Sequence, residues 1–384
     1  MANWETDCRA AWALDPDFLT VNHGSFGATP RSVLAEQQAW RARMEAQPSR
    51  FMRAVMPGAL RAAADRLGDF VGARGSDLVF VDNATAGCNA VLRSARFAPE
   101  DEIVVLSHGY GAVRNTVRFV AEPAGARIVE ASLPFPHPTP NDIVDAVSAA
   151  LTERTRLTVI DHITSGSAIV IPAAKIVARC HAHGVPVLID GAHAPGQIDL
   201  DLTAIGADWY AGNCHKWLCA PKGAAFLWAA PHRQAGLHPT VISHGLDKGF
   251  LAEFDWTGTR DPSAVLSVPA ALDFHHQIGG AALRARNIAL AAEAGDLLAR
   301  RLNTEAGTHG PCAGAMAVVR LPMAATDAGV ARVREKLLDA GTDAPVHLLD
   351  GAVWLRLSAF AYNRIEDYAR LGEIVAAVLR EEQP

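Results

Sequence analysis

The feature that most constrains the fold is a regular alternation of short apolar runs with helix-like segments between residues 77 and 229. Such strands, apolar along their whole length and separated by helices, predict a mostly parallel sheet covered on both faces. Seven runs have the length and composition of β-strands, at residues 77–82, 102–107, 126–131, 156–161, 185–190, 208–213 and 224–229.

The regular alternation of strand-like and helix-like segments ends near residue 245. A loop leads into a long helix rich in Ala, Leu and Arg near 281–302, and the strand-like pieces "AMAVVRLP" and "AVWLRLS" follow it. We therefore predict a large domain over residues 21–244 and a smaller C-terminal α/β domain over 245–384. We expect residues 1–20 to pack against the smaller domain.

Composition narrows the class of protein. The chain has 384 residues, a formal net charge of −6 and no basic patch, so nucleic acid is not an expected partner. Its six cysteines form no CxxC pair, which is typical of reduced thiols in a cytoplasmic protein. The N-terminal stretch lacks a basic start with an apolar run, so we expect no secretory signal, and no apolar stretch reaches membrane-spanning length. The stretch "CHAH" (180–183) is typical of a solvated helix end, and we expect no metal site.

Polar side chains follow most of the predicted strands. Each has a structural explanation when taken singly, as a helix cap or a solvated loop residue. Because ligands bind beyond the carboxyl ends of strands in an open parallel sheet, their convergence predicts a functional site. The residues concerned are Thr85, His108, Tyr110, His162, Thr164, Ser165, Asp190, His193, Cys214, His215 and Lys216.

Lys216 is the most informative of these residues. Only five of the 35 basic residues are lysines, and Lys216 lies in an otherwise small or apolar run after a strand. Lysine can lose its proton and attack a carbonyl carbon, whereas arginine stays charged. A Schiff-base lysine, an acid for a protonated pyridine nitrogen, a phosphate cradle and a ring to stack on are together the parts of a pyridoxal 5'-phosphate (PLP) site.

The sequence resembles the fold-type I PLP enzymes of aminotransferase class V and, within them, the isopenicillin N epimerase-like group. The resemblance implies the PLP-dependent transferase fold, with a mostly parallel seven-stranded sheet in the large domain. The matching stretches run in order along nearly the whole chain: "VNHGSFGATP" (21–30), "NATAGCN" (83–89), "SHGYGAV" (107–113), "DHITSGSAIVIP" (161–172), "LIDGAHAPG" (188–196), "YAGNCHKWLCAPKGAAFLW" (210–228), "WTGTRDPSA" (256–264) and "LRLSAFAYN" (355–363).

The resemblance also implies roles for the cofactor-site residues. Lys216 would hold PLP as a Schiff base and Asp190 would pair with the pyridine nitrogen. His193 would lie near the ring hydroxyl or the substrate carboxylate, and either His108 or Tyr110 would cover the ring. Ser165 and Thr164 stand where cysteine desulfurases have asparagine. The residues that would surround the phosphate are Ala84, Thr85, Asn213 and His215.

Three further segments acquire roles from the same resemblance. The loop Thr257, Gly258 and Thr259 would reach the phosphate of the neighbouring subunit, which implies a homodimer. Arg356 would clamp the carboxylate of an amino-acid-like substrate, a bidentate task suited to arginine. Asn22 and His23 would border that substrate.

The motifs leave the reaction open. Lys216 would act as the base at Cα, and Tyr110 is a candidate second acid. Epimerisation or racemisation is the first expectation, with C–S lysis and transamination as alternatives. A desulfurase is not expected, because the surroundings of Cys312 do not match the motif that carries the desulfurase nucleophile.

The cofactor assignment predicts a visible property. The purified protein should be yellow, and borohydride reduction should abolish the visible band while fixing the cofactor to Lys216, detectable by peptide mass spectrometry. A colourless protein that takes up no PLP would contradict the assignment.

Overall fold

A computed structural model describes residues 8–382. Its main sheet has seven strands in the order β1-β7-β6-β5-β4-β2-β3. The strands are β1 (Leu78–Val81), β2 (Glu102–Leu106), β3 (Arg127–Ala131), β4 (Thr155–Asp161), β5 (Val187–Asp190), β6 (Trp209–Asn213) and β7 (Ala225–Ala229).

The predicted mostly parallel sheet is confirmed. Strands β3, β2, β4, β5 and β6 pair in parallel, whereas β7 runs antiparallel to both β6 and β1. All seven predicted runs form strands, with ends that differ from the prediction by no more than two residues. The central strands are buried along nearly their whole length because helices cover both faces of the sheet.

Fifteen α-helices accompany the strands within residues 8–382. Those from the N-terminus through the main sheet are α1 (His23–Phe26), α2 (Arg31–Ala46), α3 (Pro48–Arg50), α4 (Met56–Val71), α5 (Ala84–Ser94), α6 (Gly111–Ala124), α7 (Pro140–Ala150), α8 (Ala173–Ala182) and α9 (Leu202–Ile205). Those that follow are α10 (Phe250–Asp255), α11 (Ser263–Leu266), α12 (Val268–Gln277), α13 (Ala281–Leu302), α14 (Asp327–Asp339) and α15 (Ile365–Glu381).

A smaller sheet forms near the C-terminus. It has the antiparallel order β8-β10-β9, from β8 (Met316–Arg320), β9 (Val346–Leu349) and β10 (Ala352–Ser358). Helices α13 and α14 pack on it, α15 packs on these two helices, and together they enclose a second hydrophobic core. The predicted smaller α/β unit is therefore present, with β9 as a strand that the sequence patterns did not indicate.

The predicted boundary between residues 244 and 245 stays a prediction, and the packing favours a later division. Helices α11 and α12 contact α2 and α4, and their apolar side chains belong to the core of the main sheet. A boundary near the start of α13 agrees better with these contacts.

The N-terminal segment contacts both units. Residues 1–7 lie outside the described part of the chain, so the prediction for 1–20 can be compared only over 8–20. The backbone N–H of Leu19 donates to Gly341 O at 2.8 Å, and Leu19 joins the core of the smaller unit. Trp12 packs edge-on against Phe274 and Phe360, at centroid distances of 5.3 and 5.9 Å.

Between residues 8 and 382, the structure contains no helix that is both long enough and apolar enough to cross a membrane.

Strand β7 supplies a test of the core. Phe226 is fully buried there and its ring lies parallel to that of Tyr210, with centroids 6.2 Å apart. Phe226→Ala should lower the free energy of unfolding by about 3–5 kcal/mol, because it leaves a cavity that the sheet cannot close. The matched control is Phe119→Ala, at a ring that is 61% exposed, with an expected change of about 1 kcal/mol or less. Urea denaturation followed by far-UV circular dichroism measures both; equal losses would contradict the assigned burial.

Candidate active site

A cavity of about 340 Å³ lies at the carboxyl ends of β4, β5 and β6. Ligands bind at this edge in open α/β sheets. Eight predicted site residues line it: Thr85, Tyr110, Ser165, Asp190, His193, Asn213, His215 and Lys216. Six further lining residues were not predicted: Ser25, Phe26, Asn83, Asp161, Ile163 and Ala192.

Lys216 lies in the turn that follows β6. Its Nζ donates a hydrogen bond to His193 Nε2 over 3.1 Å. Burial and, next, the positive charge of Arg356 lower the pKa of Lys216 to about 8, although Asp190 and Asp161 oppose this shift. An amine with this pKa is uncharged in an appreciable fraction near neutral pH, as a nucleophile and a proton acceptor must be.

His193 provides the acceptor for that amine. Burial, followed by the charges of Lys216 and Arg356, holds the pKa of His193 well below its usual range, so its ring is neutral. Its Nδ1 is buried and has no hydrogen-bond partner in the described part of the chain. A buried ring nitrogen of this kind is a place where a bound polar group could be held.

Two carboxylates lie side by side at this edge of the sheet. Asp161 ends β4, Asp190 ends β5, and the two are partners in the parallel register. Asp190 accepts a hydrogen bond from Ala192 N at 3.0 Å. Burial raises the pKa of Asp190, and burial together with the charge of Asp190 raises the pKa of Asp161. Within residues 8–382 neither carboxylate has a Lys, Arg or His partner at salt-bridge distance, so Asp190 could receive a cationic group from a ligand.

The N-terminus of α5 faces the same cavity. Asn83 caps this helix by accepting the N–H of Ala86 at 2.8 Å, and Asn213 Oδ1 accepts the N–H of Ala84 at 2.8 Å. The backbone N–H of Ala84 is therefore bound by Asn213, and the predicted place of both residues around a phosphate stays a prediction. The hydroxyl of Thr85 lines the cavity and makes no hydrogen bond to any described residue. A helix start of this kind suits an anion.

His215 lies beside Lys216 in the same wall. Its Nδ1 lies 3.2 Å from Ala224 O, and in the neutral ring Nδ1–H donates a hydrogen bond to that oxygen. Burial lowers the pKa of His215 to about 4. In this tautomer the other ring nitrogen is an acceptor, and it would bind a phosphate oxygen that carries a proton.

Arg356 lies directly behind the cavity wall in β10. Its guanidinium is buried and donates to Ser165 O and Oγ at 2.7 and 3.2 Å, to Asn22 Oδ1 at 2.8 Å and to Ser25 Oγ at 2.7 Å. All these partners are neutral oxygens, and burial lowers the pKa of Arg356 to about 10. To clamp a carboxylate as predicted, Arg356 would exchange some of these bonds for the substrate.

The segment from Asn22 to Gly27 fits between Arg356 and Lys216. Gly27 has φ +68°, and a Cβ there would lie 2.1 Å from His215 O, so only glycine fits. His23 is buried, with Nδ1 2.9 Å from the Tyr362 hydroxyl and Nε2 3.1 Å from Lys216 O. The predicted substrate contacts of Asn22 and His23 stay predictions, but Ser25 rather than either of them lines the cavity.

Tyr110 and His108 point to different places. Tyr110 lines the cavity mouth and is 42% exposed. His108 is absent from the lining; its Nε2 lies 3.3 Å from Asp350 Oδ2 in the turn between β9 and β10, and its ring meets Phe135 edge-on. Of the two candidates for covering a ring, the geometry favours Tyr110.

The loop from Thr257 to Thr259 is absent from the lining of this cavity. Thr257 instead lines a small separate cavity with Arg260, whose guanidinium is 2.8 Å from Asp82 Oδ1. The predicted role of this loop in a neighbouring subunit stays a prediction.

The lining residues fit PLP in three respects. An unpaired buried carboxylate, Asp190, suits a protonated ring nitrogen. The N-terminus of α5 with Thr85 suits a phosphate, and Lys216 has the lowered pKa that carbonyl attachment needs.

Comparison with known proteins identifies related chains. The sequence model of the family described as aminotransferase class-V matches residues 27–341. A probable chloroplastic L-cysteine desulfhydrase of Arabidopsis thaliana is 33% identical, and the alignment covers 96% of this chain and 84% of that protein. Isopenicillin N epimerase of Streptomyces clavuligerus is 34% identical, with coverage of 99% and 100%.

Solved structures share the fold. The cystine C–S lyase C-DES, in complex with its product cysteine persulfide, superposes with a TM-score of 0.79 at 21% identity over 94% of this chain and 98% of that chain. A variant of C-DES carries glycine covalently linked to its PLP cofactor.

The lowered pKa of Lys216 can be measured directly. In protein freed of bound carbonyl compounds, modification of Lys216 by an amine-specific reagent should reach half its limiting rate near pH 8, because only the deprotonated amine reacts. A short lysine peptide should do so near its ordinary pKa of about 10.4. Arg356→Gln removes a neighbouring positive charge and should move the Lys216 midpoint upward. Peptide mass spectrometry against pH gives both midpoints; a wild-type midpoint near that of the peptide would contradict the assignment.

Proposed function

We propose that this chain, which belongs to the aminotransferase class-V family, uses PLP to remove the Cα proton of a small amino acid at Lys216. PLP, the cofactor of this family, supplies an aldehyde for attachment and a ring that delocalises the electron pair left at Cα. The observation that carries the proposal is that Lys216 and Tyr110, two groups able to move a proton, line one cavity with Asp190 and His193.

The chain's own residues would hold the cofactor as follows. Lys216 would attach it, Asp190 would pair with its ring nitrogen, and its phosphate would bind at Thr85, His215 and the N-terminus of α5. The neutral His193 accepts a hydrogen bond from Lys216 and keeps its Nδ1 for a polar atom of the bound molecule. Arg356 and Ser165 would bind the substrate carboxylate, and the hydrogen bonds from the Arg356 guanidinium to Ser165 O and Oγ support this by holding the two residues together at the cavity wall.

The first candidate reaction is epimerisation or racemisation. Lys216 Nζ takes the Cα proton from one side, and the Tyr110 hydroxyl returns a proton to Cα from the other. Support comes from Tyr110 at the cavity mouth, with no hydrogen bond from its hydroxyl to any described residue, and from the relationship to isopenicillin N epimerase at 34% identity.

The second candidate is β-elimination of a thiol. Lys216 would again remove the Cα proton, the Cβ–S bond would break with its electron pair on sulfur, and Tyr110 would protonate the departing thiolate. Water would then convert the released unsaturated amine to a keto acid and ammonia. Relatives named L-cysteine desulfhydrase, at 33% and 36% identity, favour this reaction.

A sulfur-accepting desulfurase is not proposed. Cys214, Cys219 and Cys312 are all buried, and none of the described residues lining the cavity is a cysteine. Burial raises the pKa of Cys312, which disfavours the thiolate that would attack sulfur.

A homodimer is part of the proposal. One support is that the loop Thr257–Thr259 is absent from the lining of the cavity in its own chain. Another is that the neighbouring apolar side chains of Val241 and Ile242 are 55% and 53% exposed.

A panel of amino acids in heavy water distinguishes the reactions. With the wild type, epimerisation should place deuterium at Cα in the inverted product. Tyr110→Phe should slow inversion by about 10²-fold or more while Lys216 still exchanges the Cα proton with retention. Lys216→Ala should do neither, and Lys248→Ala, at an exposed lysine, is the control.

The products decide among the remaining outcomes. Formation of a keto acid with an equal amount of free thiol would reject epimerisation and indicate the lyase reaction. A keto acid with conversion of the cofactor to its amine form would indicate transamination. No exchange at Cα with any substrate would reject the proposed function.

A further inference from the structure

Asp161 is the buried carboxylate of the cavity that the proposed function leaves without a role. It ends β4, is 6% exposed, and lines the cavity beside Asp190, its partner in the parallel register. Asp190 faces the ring nitrogen in the proposed function. Burying a second carboxyl group next to it costs free energy unless its oxygens are hydrogen-bonded.

The oxygens of Asp161 are directed at the turn that carries Tyr110. The backbone N–H of Tyr110 donates to Asp161 Oδ1 at 3.1 Å and lies 3.4 Å from Oδ2. Gly109 packs on the same carboxylate, since a Cβ at Gly109 would lie 3.4 Å from Asp161 Oδ2 and 3.0 Å from Leu106 O. The backbone of this turn is therefore held by the Asp161 carboxyl group, through one hydrogen bond and one close contact.

One cationic group near this turn has other hydrogen-bond partners. The guanidinium of Arg114, in the first turn of α6, donates to Ser107 O at 2.6 Å and pairs with Glu130, and its charge also acts to lower the pKa of Asp161. Tyr110 itself is the N-cap of α6 and its side chain makes no capping hydrogen bond. Asp161 thus supplies an acceptor for one of the N–H groups at the start of this 14-residue helix, that of Tyr110.

We infer that Asp161 is a positioning residue, whose side-chain oxygen fixes the backbone of Tyr110 and so places the tyrosine ring and hydroxyl over the cavity. The inference rests on the proposed function, in which Tyr110 moves a proton. It assigns the role to an acceptor oxygen and not to a negative charge.

The electrostatic setting agrees with an acceptor role. Burial and the adjacent Asp190 raise the pKa of Asp161, which favours its uncharged form. An amide of the same shape keeps one acceptor oxygen and should replace that form well. Alanine removes the acceptor and leaves the Tyr110 N–H without its partner.

The experiment compares Asp161→Asn, Asp161→Ala, Tyr110→Ala and the double variant Asp161→Ala/Tyr110→Ala as PLP-loaded enzymes. The main readout is the circular dichroism induced in the visible band of the cofactor, which depends on the asymmetric surroundings of its ring. Asp161→Ala should change this signal in the same direction as Tyr110→Ala, and the double variant should match Tyr110→Ala alone. Turnover should fall by about 10²-fold in Asp161→Ala and stay within about tenfold of wild type in Asp161→Asn.

Asp201→Ala is the matched control. Asp201 also accepts a backbone N–H at a helix start, that of Ala204 at 2.8 Å, but it lies outside the cavity. Its removal should lower thermal stability and leave the cofactor signal unchanged. If Asp161→Ala does not fold, Asp161→Ser takes its place, since serine is small and too short to reach the Tyr110 N–H in the same way.

Two outcomes would overturn the inference. An unchanged cofactor signal in Asp161→Ala would show that Tyr110 does not depend on Asp161. A change in Asp161→Asn as large as in Asp161→Ala would assign the effect to charge. Failure of the wild-type protein to bind PLP would instead reject the proposed function, so the two failures are distinguishable.

Discussion

The site depends on a balance of buried charges at one edge of the sheet. Lys216 and Arg356 bring two positive groups to it, and Asp161 and Asp190 bring two acids. Desolvation shifts the pKa of each group in the direction that favours its neutral form, and opposite charges nearby reduce that shift. The result is a lysine that loses its proton easily beside an acid able to receive a cation, which a cavity of neutral polar groups would not provide.

Much of this arrangement could be predicted from the sequence because parallel strands end at a common edge. Asp190 ends one apolar run and Lys216 follows another, and that pattern predicts that they line one site. Asn213, which also lines the cavity, is indicated by the family resemblance and not by the strand pattern. Asp161 carries the same signal, since it closes β4 as Asp190 closes β5, but a strand-end Asp is also typical of a helix cap or a loop, and the pattern alone does not assign it to the site. Strand β9 was missed because its four residues, Val346–Leu349, give too short a pattern to distinguish from a loop.

Other features depend on contacts that no local pattern encodes. The sequence left His108 and Tyr110 equivalent, and only the fold turns His108 toward Asp350 and leaves Tyr110 at the cavity. The assignment of α11 and α12 to the main core likewise depends on their packing against α2 and α4, which are distant in sequence. The reaction itself is not encoded by the family motifs, because one site can serve several fates of the same Cα centre.

The contact between the N-terminal segment and β10 has a consequence for how the chain becomes active. Asn22 and Arg356 are 334 positions apart, yet their hydrogen bond helps to form the wall behind the cavity. Contacts of such sequence separation form late, since a long loop must first close. During synthesis the main sheet can assemble on the emerging chain, but the wall can form only after β10 has left the ribosome. A truncated translation product would thus carry Lys216 and Asp190 in place while lacking a finished site.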